Sequence, residues 1–346
     1  MSERRSYLDR GIGEIRGVVT LDGRPERLII RRDTDDARVM EGARLVARVD
    51  QVEAAIGAAF VDLGGIQALL PFKPDERPVR GAALIVEIRS EPRAGKLAVA
   101  RRLDGGDGAP RLLEPAPSVE DQLQAHVRGI ATVTGPVART MADEAEEEAL
   151  ETVHAMPGGG TLAIEPTRAL TAVDVDLGER KGGDSKRAAR QANMTALAEA
   201  ARLLRLKGLG GLVVMDLVGR GHDGAALLAA ARQAFGADNP GVSIGPVGRF
   251  GTMELSIPRR STPVLERLRG VQGELAALTI AHRLIRRIES EAAAQPGQRL
   301  VARCAPGIAE AAALLGRQLS ERIGARFTIQ AEAGRARDHF DVGASA

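Results

Sequence analysis

The sequence predicts an α+β protein of several units, and three observations carry that prediction. Its first hundred residues alternate short β-like runs with glycine and proline turns. From Leu162 the pattern changes to apolar strands separated by long stretches with apolar residues three and four apart, and the tail repeats strand, helix, strand. A chain of 346 residues has room for two or three cores.

Apolar residues at 44% and charged residues at 27% are ordinary globular values, which excludes a disordered, collagen-like or coiled-coil chain. No run of 18 consecutive apolar residues exists, so no membrane partner is expected. The single cysteine, Cys304, can form neither an intrachain disulfide nor a thiolate zinc site. Met1–Arg10 does not read as a signal peptide, and the expectation is a reducing, cytoplasmic setting. Only five of the 48 basic residues are lysine. The planar arginine fork suits phosphate, so arginine-rich faces fit a nucleic-acid partner, although a GC-rich gene explains the same bias. Aromatics at 2% restrict any base stacking to a few rings.

The N-terminal runs Glu14–Leu21, Arg27–Arg32, Ala43–Val52, Ala58–Asp62, Ala68–Pro71, Ala83–Arg89 and Lys96–Ala100 read together as one all-β module over residues 1–104. Five or so of these short strands, within about 60 residues, fit a small closed barrel of the OB type preceded by N-terminal strands, with Phe60, Phe72 and arginines as candidate RNA-facing groups. Residues 105–156 read as a connecting segment. Asp104–Pro117 is a turn-rich linker, and the acidic run Asp143–Thr152 is a solvated helix face. A Pro157–Gly160 turn opens a central α/β unit, residues 157–262. Its strands are LAIEPT, LTAVDVDLG and GLVVMDLVG. Its long helix spans Asp184–Lys207, with Met194, Leu197, Ala201 and Leu204 in one stripe, Gly182–Gly183 ahead and Gly208 behind. Residues 263–346 hold one helix over Leu265–Glu291 and a small α/β domain without ligand-type clusters, read as structural or oligomer-forming.

Aspartates mark the candidate site. In TAVDVDLG, Asp174 and Asp176 are two apart, so a strand sends both to one face and Val173 and Val175 to the other. Asp216 ends the apolar run Leu212–Met215 and would lie beside the first strand if the two pair. Three carboxylates gathered there would repel unless a hard divalent cation joined them, and Mg²⁺ is commonly held by one or two carboxylates and waters. Capping of turns or helices is the plainer use of such aspartates. Gly183 and Asp184 could present backbone N–H groups to a phosphate. Arg249 and Phe250 offer a guanidinium and a ring. His126, His154, His222, His282 and His339 lack metal-ligand spacing, and no nucleophile elbow or P-loop is present.

The stretch PGGGTLAIEPTRALTAVDVDLG, then KGGD, QANMTALAEAARLLRLKGLGGLVVMDLVG and VGRFGTMELS, resembles the catalytic region of the bacterial ribonuclease E/G family. GAAFVDLGGIQALLPF resembles that family's OB-type RNA-binding insert, and LIRRIE with QRLVARCAPGIAEAAALL its small C-terminal domain. The resemblance implies a DNase I-like catalytic subdomain and a Mg²⁺-dependent endoribonuclease (Mn²⁺ a possible substitute) that cuts single-stranded RNA and leaves a 5′-phosphate. It places the two metal ligands on Asp174 and Asp216. Asp176 occupies the place of an asparagine that orients metal and phosphate, which adds a negative charge. Phe60 matches one stacking aromatic, Leu69 stands at the other, and Lys96 matches a basic RNA contact. The family's long RNase H-like and 5′-sensing segment is here reduced to about fifty residues. No cysteine stands between Arg260 and Leu284, where the family's zinc link would lie. No structural zinc is expected, and any homo-oligomer would form without that link. The competing readings are a non-catalytic RNA-binding protein of the same fold and a phosphodiesterase acting on DNA or a small phosphoester.

Overall fold

The structure is a computed structural model that describes residues 3–93, 95–178, 185–236 and 241–345. Three antiparallel strands open the chain: β1 (Arg4–Arg10), β2 (Glu14–Leu21) and β3 (Arg24–Arg32). Five more close a separate barrel: β4 (Arg44–Glu53), β5 (Ala58–Asp62), β6 (Gln67–Pro71), β7 (Ala83–Ser90) and β8 (Ala98–Gly105). Its order is β4-β5-β6-β8-β7 and back to β4, with β6 and β8 parallel. Leu45, Val49, Val61, Leu70, Val86 and Ile88 fill the interior. Alternation along each strand sends every second side chain inward.

The barrel thus has five strands, as expected, and the first two of the seven runs stand outside it. Glu14–Leu21 and Arg27–Arg32 belong to the opening sheet, and the barrel is inserted after it. The 104–117 segment is no plain linker, because it contains β9 (Arg111–Glu114), which pairs with β4.

The chain then returns to the opening sheet through α1 (Val119–Val127), β10 (Val133–Thr134) and α2 (Pro136–Leu150). β10 pairs parallel with β1. Val119, Leu123 and Val127 of α1 pack on the face bearing Leu8 and Val19. Gly17 lies beneath this helix, where an added Cβ would stand 2.6 Å from Val119. The alanines of α2, at 138, 142, 145 and 149, pack on the opposite face with Tyr7, Val18, Leu28 and Ile30. The small residues allow close helix–sheet approach.

The acidic run is a solvated face only in part: Glu144 and Glu147 are exposed, but the run also turns a carboxylate inward. Glu146 is 2% exposed and accepts from Arg283 (2.7 Å), Arg16 (3.1 Å) and Arg286 (3.2 Å). Periodicity cannot separate a charge facing water from one facing buried arginines of distant strands and helices.

The central sheet contains β11 (Val153–Ala155), β12 (Thr161–Pro166), β13 (Thr171–Asp176), β14 (Gly211–Asp216), β15 (Ser243–Ile244) and β16 (Thr252–Ile257), ordered β11-β12-β13-β14-β16-β15. Only β13 and β14 are parallel neighbours, as their helical crossover α3 (Ser185–Leu206) requires. Helix α4 (Gly224–Gly236) follows β14, and α3 and α4 contribute Leu197, Ala200, Leu204, Leu227 and Phe235 to the core on one sheet face. That core is continuous with the one under α2, which joins the opening and central sheets into one body.

The expected single helix over Leu265–Glu291 is two: α5 (Val264–Leu268) and α6 (Ala277–Ala294). Between them Gly270 N–H donates to the carbonyl of Glu274, and Gly273 takes φ +88°, so the glycines turn the chain. The tail is β17 (Leu300–Cys304), α7 (Pro306–Ala311), α8 (Ala313–Ile323), β18 (Phe327–Ala331) and β19 (Asp341–Ala344), with β17 central in a three-stranded sheet.

Candidate active site

Asp174 of β13 is the register partner of Asp216 of β14. Neighbouring strands run about 4.8 Å apart, and paired residues of a parallel ladder share a face. Val173, Val175, Val213 and Met215 are buried under the helices, so the alternate positions 174 and 216 emerge together on the open face. Across the sheet the row reads Ala163, Asp174, Asp216, Thr252. Two carboxylates thus stand side by side between small neighbours, at the carboxyl ends of the two parallel strands.

Among the described residues neither aspartate has an ion-pair or hydrogen-bond partner, although arginine pairs with acids throughout the rest of the chain. Asp176 shares their face, but its Oδ1 accepts the N–H of Gly178 at 2.8 Å. No group of three or more His, Cys, Asp or Glu capable of holding a metal is found among the described residues. The expected gathering of three carboxylates into one cluster is corrected to an adjacent pair, with Asp176 satisfying its own turn. Two exposed hard oxygen donors with no cationic partner among the described residues fit Mg²⁺, which takes few protein ligands and retains waters.

The chain beyond Asp216 is fixed by backbone contacts. Leu217 N–H donates to Gly251 O at 3.2 Å. Asn193 of α3, fully buried, grips the next residue with both ends of its amide: Val218 N–H donates to Oδ1 at 3.0 Å, and Nδ2 donates to Val218 O at 3.0 Å. Sequence reading passed over this residue. The available signal was a polar side chain one turn before Leu197 on the apolar stripe of α3, which a helix buries only if something satisfies it.

Arg249 and Phe250 occupy the tight turn just before Thr252, the partner of Asp216. The guanidinium lies 4.6 Å from the ring centroid, and Phe250 is 77% exposed. Gly251 takes φ +88° there, and an added Cβ would lie 3.3 Å from His222 Nε2. Phe60 and Leu69 are cross-strand partners on the outer barrel surface, since Ala59, Val61, Ala68 and Leu70 point inward. Lys96 is exposed in the bridge it forms with Arg93. Phe72, a candidate RNA-facing ring, instead packs partly against the barrel core. Gly183 and Asp184 lie outside the described residues.

A cavity of about 470 Å³ lies at the opposite end of β16, lined by Arg27, Arg205, Arg260, Leu204, Phe235 and Ile257 among others. Arg205 is paired with Glu26 and Arg260 with Glu41, so it is a seam between units rather than part of the carboxylate site.

The fold and site define an α+β protein that combines a five-stranded barrel with an α/β layer displaying paired carboxylates. Residues 111–260 match the model of the ribonuclease E/G family. It is 36% identical over 118 residues to ribonuclease E of Escherichia coli K12, covering 33% of this chain and 11% of that protein. It is 31% identical over 122 residues to ribonuclease E of Nostoc sp. PCC 7120, covering 34% and 18%. It is 27% identical over 154 residues to the chloroplastic ribonuclease E/G-like protein of Arabidopsis thaliana, covering 43% and 15%. The match to the Escherichia coli and Haemophilus influenzae relatives thus spans little more than a tenth of their length.

Proposed function

We propose that this protein is a Mg²⁺-dependent endoribonuclease that cleaves single-stranded RNA and leaves a 5′-phosphate. The observation that carries the reading is the Asp174–Asp216 register pair: two carboxylates side by side at the ends of adjacent parallel strands, with no partner among the described residues. The family match over residues 111–260 supports RNA as substrate. No helix among the described residues is long and apolar enough to cross a membrane.

Asp174 and Asp216 would hold the cation, with Asp176 beside them. Bound Mg²⁺ lowers the pKa of a coordinated water and neutralises charge developing on the phosphate. Arg249 neutralises a backbone phosphate, and the open face of Phe250 receives a base. The outer barrel face, through Phe60 and Lys96, grips the strand and keeps it single-stranded along the site.

The test is incubation of an end-labelled single-stranded RNA with the purified protein, with and without Mg²⁺. Cleavage that requires Mg²⁺ and disappears in folded Asp174→Asn and Asp216→Asn supports the reading. Undiminished cutting by both variants refutes the assignment of the pair. Salt-sensitive RNA affinity without cutting at saturating Mg²⁺ would identify a non-catalytic RNA-binding protein instead.

A further inference from the structure

We propose that Asn193 is a positioning residue for the carboxylate pair, acting through the backbone at Val218. This inference rests on the metal-site reading above and assigns its geometry to a residue of the crossover helix.

β14 ends at Asp216, and with it ends the parallel ladder to β13. One residue later the bond from Leu217 N–H to Gly251 O continues the contact on the opposite edge, toward β16, so the β13 edge of the chain beyond Asp216 has no ladder partner among the described residues. The strand end is therefore free to splay unless another element replaces the lost ladder. Asn193 does this by imitating a strand neighbour: its amide presents an acceptor and a donor spaced like those of a peptide group. Both are used on the same residue, Val218, at 3.0 Å each. The side chain is completely buried, so water does not compete for either bond.

A second contact fixes the same loop. Gly219 takes φ +94°, and a Cβ built there would stand 3.0 Å from Ala189 Cβ, one turn of α3 before Asn193. The loop after Asp216 thus lies directly on α3, held by the amide at Val218 and by close approach at Gly219. Because α3 is also the crossover between β13 and β14, the element that brings the two strands together also holds the end of the second. A splayed end would move the Asp216 carboxylate away from Asp174 without removing either ligand.

The readout is direct binding of Mn²⁺, followed by its electron paramagnetic resonance signal, to the full chain without RNA. Wild-type protein is expected to bind, and Asp216→Asn to lose binding. Asn193→Ala and Gly219→Ala are each expected to weaken Mn²⁺ affinity at least tenfold. Together they should weaken it less than the product of the two, because both release one loop. Ala200→Gly, seven residues further along the same buried helix, controls for general weakening and is expected to lower Tm with unchanged Mn²⁺ affinity. Normal Mn²⁺ affinity in folded Asn193→Ala and Gly219→Ala overturns the proposal and leaves the metal-site reading standing. Absence of Mn²⁺ binding by the wild-type protein overturns both.

Discussion

Arg286 of α6 donates to Glu14 of β2 at 2.6 Å, and each side chain is less than a tenth exposed. This pair ties the helix that leads into the C-terminal domain to the opening sheet. It belongs to a buried network in which Glu146 accepts from Arg16, Arg283 and Arg286, and Asp9 accepts from Arg16 and Arg139. Burial works to raise the Glu146 pKa, but the three arginines outweigh it and hold the carboxyl below its usual range.

Removing the shared acceptor takes one carboxylate from three guanidinium groups at once, leaving Arg16 with Asp9 and Asp143 and Arg286 with Glu14 and Asp143 as acidic partners. Glu146→Ala is therefore expected to lower unfolding stability by about 3–5 kcal/mol, far more than truncation of an exposed glutamate. Urea denaturation followed by circular dichroism measures this. A loss comparable to that of an exposed pair would show that the network is not stabilising.

A second expectation concerns pH. Burial, reinforced by the charge of Lys207, lowers the pKa of His154 to about 4, and its Nε2 is buried without a hydrogen-bond partner. The unfolded chain, with an ordinary histidine near 6.5, therefore binds the proton first. Stability from this residue is complete above about pH 6.5 and falls between pH 6.5 and 4, because the unfolded state binds more protons across that window. Tm should drop over this range, and His154→Leu should flatten the drop. His282, held low mainly by burial, leaves a residual slope. An unchanged profile in His154→Leu would show that His154 does not titrate as a buried neutral ring.

A third expectation follows from the proposed RNA path. Phe250→Ala and Phe60→Ala should each weaken binding of a short single-stranded RNA by about 1–3 kcal/mol, the usual worth of one stacked base. Arg249→Gln should reduce the slope of log K against log salt by about 0.7, the value of one phosphate contact to a single strand. Fluorescence anisotropy across a salt series reads both. Unaltered affinity in both phenylalanine variants would mean that the strand takes another route.

The aspartates were legible because a strand has period two: the valines at 173 and 175 had to share one face, so the aspartates at 174 and 176 took the other. The apolar run before Asp216 marked a second buried strand, which would set Asp216 beside the first strand if the two paired; that they pair in parallel came from the structure. Asn193 was hidden, since its partner is a backbone group 25 residues away. The acidic run of α2 misled for a related reason. Its local pattern is that of an exposed face, and its arginine partners come from β2 and α6.

Local chain chemistry alone specified β12, β13, β14 and the long helix of the central layer, the inward and outward sides of β13, and the presence of a small barrel. These follow from periodicity, turn residues and short-range sterics, which act within a few residues. Three-dimensional packing settled which strands share a sheet, that the first three stand apart from the barrel, that Asp174 meets Asp216 while Asp176 serves its own turn, and that buried arginines neutralise α2. Those outcomes depend on register and charge pairing between segments up to 272 residues apart, as for Glu14 and Arg286. Only the assembled core brings such groups within bonding distance.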